Sequence, residues 1–305
     1  MLYYEAVQIF YRDCIGRMLS ERTIENYSDY ITGFGNYLQR VNKSNIEDVT
    51  RDDVLDYFAF KRKTCSETTI KHNFIAIRAC FKCLVARHII PINPLDDIPK
   101  PRVPKKVIQS FNREEVQAIL NAFDKNTFTG FRNYAVMSIL FSTGLRKSEL
   151  LQMNVSDVYL DIDTMKVNGK GNKERYVPIS PVLHRVIVTY LKKRKEYLKE
   201  RKLADRDVFI VSCRGGRLTK GGLGTVFAKL KQSKKQWAHR VSAHTWRHTF
   251  AKFFLLNGGD IFSLQKILGH EDIESTRIYI ELTKEEIRLQ NDKYNPLDNT
   301  KWQYY

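Results

Sequence analysis

Apolar residues recur every three or four positions through most of this chain, and the rule breaks in only two places. Before residue 90 the spacing is helical. SERTIENYSDYITGFGNYLQRV opens with Ser20 at an N-cap position. In residues 66–87, Ile70, Phe74, Ile77, Phe81, Leu84 and Val85 fall on one stripe. The first break is PINPLDDIPKPRVP, which holds five of the eight prolines. Proline removes a backbone donor and stiffens the chain, so this segment predicts a linker at 91–108 between domains at 1–90 and 109–305. The second break is VSDVYLDIDTMKVNGKGNKERYVPI, where short β-branched runs flank Gly169-Lys170-Gly171. That pattern predicts strands joined by a hairpin turn.

Around that sheet the spacing is helical again. FNREEVQAILNAF carries acids in its first turn, and FRNYAVMSILFSTGL is apolar on all sides and stops near Gly144. Residues 181–202, and the remainder to about 293, are also predicted to be helical. The fold class expected is mainly α with a small antiparallel β-sheet, in two domains.

Charge sharpens this picture. The chain of 305 residues has 51 Lys and Arg against 34 Asp and Glu, a net +17. Residues 1–100 contribute +1 (14 basic, 13 acidic), and residues 101–305 contribute +16 (37 basic, 21 acidic). An excess gathered in one part points to a polyanionic partner. In the first domain Lys71, Arg78 and Lys82 form a line beside the apolar stripe of 66–87, either a solvated face or a DNA-facing one. Segment 61–100 is basic (8 against 3) whereas 1–60 is acidic (6 against 10), which favours DNA.

Other classes are disfavoured. No apolar run approaches the ~20 residues that span a bilayer. The start, MLYYEAVQIFYRDC, has no charged segment followed by an apolar one, and the five cysteines form no framework, so a cytoplasmic location is expected. Cys80 and Cys83 are spaced CxxC but lie in a helical pattern with no second pair to complete a metal site. No cofactor and no metal are expected.

Six residues stand in an ordered series: Arg146 in STGLRKSEL, Lys170 in GKGNKERYVP, His244 and Arg247 in HTWRHTFA, His270 in LGH, and Tyr279 in TRIYI. Arginine's planar fork suits phosphate oxygens, and phosphodiester chemistry is mostly positioning plus charge stabilisation. His244 and Arg247 at i and i+3 share a helix face. The set and its neighbours resemble the tyrosine recombinases (phage integrases, the Xer proteins and transposon-encoded relatives). The resemblance runs over about residues 110–282 by motif and over 1–100 by layout.

The resemblance implies a helical, SAM-like core-binding domain and a catalytic domain forming a C-shaped clamp on double-stranded DNA. It implies catalytic roles for Arg146, Lys170, His244, Arg247 and His270, with Tyr279 as nucleophile. Glu149 would orient Arg146. Lys170 would protonate the leaving 5′ oxygen, with Lys173 in the same turn as its rival and otherwise a DNA contact. His248 would support His244. Specific recombination sites and a homotetramer, or a heterotetramer with a related recombinase, are implied as partners. The alternative is a type IB topoisomerase, which uses a similar set of residues.

Overall fold

The computed structural model describes residues 1–103, 110–169, 173–233 and 241–270, together with Arg288, Asn291 and Lys293. Lys170 and Tyr279 lie outside the described residues. The chain divides into two compact units, Met1–Lys106 and Val107–Tyr305.

The first unit is four helices: α1 (Tyr3–Gly16), α2 (Glu21–Arg40), α3 (Arg51–Arg62) and α4 (Glu67–Ala86). Each of the last three starts on a hydroxyl cap. Ser20 accepts from Thr23 N, Thr50 from Asp53 N and Ser66 from Thr69 N. The core gathers Phe10, Phe34, Tyr57, Phe74 and Phe81. The α4 stripe is buried as its spacing predicts at Ile70, Phe74, Ile77, Phe81 and Leu84, with Val85 half-buried.

The proline-rich stretch is not all tether. Leu95 and Ile98 belong to the first core. Asn93 Oδ1 accepts from Leu95 N at 3.0 Å, a side-chain turn that folds the chain back onto the helices.

The second unit is built around α6 (Phe128–Thr143), whose apolar residues on every side put it at the centre. α5 (Arg113–Asn121) precedes it, begun by a capping box of Asn112 and Glu115. The short α7 (Lys147–Gln152) follows, then a three-stranded antiparallel sheet of β1 (Val158–Tyr159), β2 (Thr164–Asn168) and β3 (Glu174–Pro178) in the order β1-β2-β3. Met165, Val167 and Val177 face the core. Gly169 N donates to Lys173 O at 2.8 Å across the mouth of the β2–β3 hairpin. α8 (Pro181–Glu200), α9 (Lys220–Ser233), α10 (Ala243–Leu256) and α11 (Ile261–Leu268) complete the unit.

The expectation of continuous helix beyond 202 is corrected between α8 and α9. Residues 203–219 are irregular, with a single bridge between Val211 and Arg217. The buried run Val208–Val211 is held by α8 side chains. Arg194 donates from Nε to Val208 O (3.0 Å), and Tyr190 Oη donates to Phe209 O (3.0 Å). The buried Arg194 is thus a structural clip within an otherwise charged helix.

Candidate active site

The site begins where α6 stops. Gly144 adopts the left-handed conformation at a φ of 63°, and a Cβ there would lie 2.4 Å from the Phe250 ring and 2.7 Å from Leu268. Only glycine makes this turn and admits that close approach. The turn delivers Arg146 as the N-cap of α7.

Arg146 is steered by Glu149. Its backbone N–H donates to Glu149 Oε2 and its Nη1 to Oε1, both at 2.8 Å. The Arg146 amide is therefore taken by a carboxylate rather than offered to an anion. Its side chain stays 40% exposed, whereas that of Glu149 is 4% exposed. Burial would raise the Glu149 carboxyl, but Arg175 and Arg146 outweigh it and hold it below its ordinary value.

Arg247 lies in α10 and is almost completely buried. Nη1 donates to Gly144 O at 2.8 Å, and Nη2 donates to Leu268 O at 2.8 Å and to His270 Nε2 at 2.7 Å. Gly144 and Leu268 carry orphan carbonyls at the C-terminal ends of α6 and α11, where a cation is favoured. Arginine has no acceptor, so His270 must present a bare Nε2 and is neutral here. Burial first, then Arg247, Arg146 and Arg175, push the His270 pKa down to about 4. His270 follows Gly269, which is again left-handed at a φ of 65°. Its backbone N–H reaches Gln265 O at 3.2 Å.

His244 is at the exposed start of α10. Its pKa is lowered by desolvation, Arg247 and Arg146. His248, one turn on, is buried and places Nε2 3.1 Å from His244 Nε2. Its pKa is pushed down to about 3 by burial, with His244, Arg247 and His270 adding to the effect. The buried ring braces the exposed one.

Arg146, His244, Arg247 and His270 are thus brought into one electropositive cluster. Lys170 and Tyr279 lie outside the described residues. Lys173 is exposed at the mouth of the hairpin. Lys71, Arg78 and Lys82 share the outward side of α4 in the first unit, where Arg78 sits 3.5 Å from Asp96 and over the Phe74 ring. Among the described residues no group of three His, Cys, Asp or Glu side chains could hold a metal ion.

One residue escaped the sequence reading. Arg175 on β3 forms a two-pronged pair with Glu149, Nη1 to Oε1 at 3.0 Å and Nη2 to Oε2 at 2.8 Å. Its Nε donates to Ile267 O at 2.8 Å. The available signal was period two. Arg175 stands two residues before Val177 and so on the core face of β3, where an arginine needs a buried acceptor.

All three histidines are held below the ordinary value of about 6.5. The unfolded chain therefore binds protons that the fold refuses. Stability should be fully present above about pH 7 and fall as pH drops through 6.5 toward 4. Urea midpoints measured across that range should decline, and a flat profile would contradict the buried neutral rings.

Residues 109–286 match the model of the phage integrase family, and residues 8–88 match its N-terminal SAM-like domain. The chain is 30% identical over 284 residues to the tyrosine recombinase XerC of Bacillus pumilus, covering 92% of this chain and 93% of that one. It is 30% identical over 298 residues to XerD of Oceanobacillus iheyensis, covering 97% and 99%. Its fold matches that of the XerH site-specific recombinase bound to palindromic difH substrate, with a TM-score of 0.75 at 21% identity over 90% and 81% of the chains. The chain belongs to the phage integrase family. Its enzyme class is the tyrosine recombinase, and its fold is mainly α with a small sheet in two domains. The relatives do not favour the type IB topoisomerase alternative.

No helix among the described residues is long and apolar enough to cross a membrane.

Proposed function

We propose that this chain cuts and rejoins DNA at specific sites through a 3′-phosphotyrosine on Tyr279. The single observation that carries the reading is the cluster of Arg146, Arg247, His244 and His270, a cationic cradle with Glu149 as its internal acid.

In this reading the two arginines neutralise the non-bridging oxygens of a phosphodiester, where charge grows during attack. The Tyr279 phenol loses its proton, and neutral His244 is suited to take it. The Tyr279 oxygen bonds to phosphorus as the bond to the 5′ oxygen breaks, and the Lys170 ammonium supplies that oxygen's proton. Bond number is conserved, so the 5′ hydroxyl of a second duplex can reverse the step without ATP or metal. Two such exchanges in a tetramer, a homotetramer or one shared with a related recombinase, pass through a Holliday junction. The two units would clamp one duplex, with Lys71, Arg78 and Lys82 on its phosphates and Lys173 near the cleaved strand. Acting on chromosomal or mobile-element DNA in the cytoplasm, it would integrate, excise or resolve that DNA.

The test is to trap SDS-resistant adducts in cells and sequence the attached DNA. The recovered site is then tested for joining of two duplexes in excess EDTA. Adducts and joining without metal are expected. Joining that needs magnesium, or plasmid relaxation with no exchange between two sites, would defeat the reading.

Binding should fall steeply with salt, because each neutralised phosphate releases counterions. Replacing Lys71, Arg78 and Lys82 together by alanine should reduce the slope of log affinity against log salt by about 2–3. An unchanged slope would return that face to solvent.

A further inference from the structure

We infer that Arg175 is a positioning residue of the cleavage site, setting Arg146 and His270 in mutual register through two separate contacts. The inference rests on the reading above.

The first contact is with Glu149. Both carboxylate oxygens are shared: Oε1 accepts from Arg146 Nη1 and Arg175 Nη1, and Oε2 accepts from Arg146 N and Arg175 Nη2. The plane of that carboxylate fixes where the Arg146 fork points. The flat two-pronged pair with Arg175 fixes the plane. One counter-ion would have been enough to neutralise Glu149, and Arg146 already supplies it. The second arginine therefore adds orientation more than charge.

The second contact is with the end of α11. Arg175 Nε holds Ile267 O, while Arg247 Nη2 holds the next carbonyl, Leu268 O. Two guanidinium groups thus grip consecutive carbonyls, and His270 emerges two residues later. The intervening Gly269 fits against Arg175 so closely that a Cβ would lie 2.9 Å from its Cδ and 3.0 Å from its Nε. The Arg175 side chain is only 12% exposed, so it has little room to swing. It ties β3, the start of α7 and the end of α11 together at one point, touching no substrate atom itself.

Lysine at this position would keep the charge but could not span both Glu149 oxygens and a carbonyl at once. Arg175→Lys should therefore fold and bind DNA within about threefold of the parent protein. Its single-turnover cleavage should fall by roughly 10²-fold, the scale of a misplaced phosphate ligand. Gly269→Ala should give the same split by displacing Arg175 from the other side. A double Arg175→Lys, Glu149→Gln protein should cleave no more slowly than the slower single variant, because both act on one orientation. A purely structural residue would lower the unfolding midpoint without separating cleavage from binding.

The substrate is a nicked duplex carrying the sequence recovered from trapped adducts, with covalent adduct and affinity measured in parallel. Failure of the parent protein to form adducts sinks the functional reading. Parent adducts with unimpaired cleavage by Arg175→Lys sink this inference alone. If Arg175→Lys does not fold, Gly269→Ala decides: binding kept with cleavage lost supports the positioning role, and normal cleavage overturns it.

Discussion

Tyr279→Phe should abolish covalent adduct formation, by at least about 10⁴-fold, while DNA affinity stays within about twofold. A phenol with a pKa near 10 is a poor nucleophile at neutral pH. In the proposed mechanism the cations of the site would favour its ionised form and offset charge on the phosphate under attack. Removing the oxygen removes the bond that defines the intermediate, and nothing else in the ring substitutes for it. In the proposed reading affinity would rest on many phosphate contacts, so one hydroxyl would contribute little to it. Gel-shift titration and an SDS-resistant adduct assay on the same protein separate the two. An adduct from the Tyr279→Phe protein would refute the assignment and send the search to the other fifteen of the sixteen tyrosines.

Arg247→Ala should reduce cleavage by about 10²–10³-fold or more, the range for losing one preset donor to a developing anion. It should also destabilise the second unit. Gly144 O and Leu268 O would each be left without the N–H they now accept, at roughly 1–3 kcal/mol apiece. Arg247→Lys should restore part of the stability and little of the activity. An ammonium can reach one of the three acceptors but cannot present a fork to phosphate while doing so. Thermal unfolding beside single-turnover cleavage checks both parts, and full activity in Arg247→Ala would mean that the phosphate is held elsewhere.

Much of this architecture could be read from the residues in order. The α4 stripe, the apolar α6 and its stop at Gly144, and the β2–β3 hairpin all rest on local spacing and turn chemistry. So does the pairing of His244 with Arg247 on one helix face. Contacts between distant segments were not legible. Arg175 reaches Glu149 across 26 positions and Ile267 across 92, and no local period marks such a partner. The same limit applies to residues 203–219, where an apolar run suggests helix until Arg194 and Tyr190 are seen to claim its carbonyls. Leu95 and Ile98 look like linker because proline dominates their surroundings, yet the first core has room for both. Spacing alone does not separate His244 from His248; the structure leaves His244 exposed and buries His248.

The described contacts of Arg247 include two carbonyl dipoles and a neutral imidazole. Carbonyl dipoles and an imidazole stand where water would, and the aim of the guanidinium depends on how two helices end. A genetic screen for recombination-deficient alleles should therefore return substitutions at Gly144 and Gly269, positions with no side chain to touch DNA. Such alleles would make soluble protein that still occupies its site. They would be scored as active-site mutants although every residue of the cradle was intact.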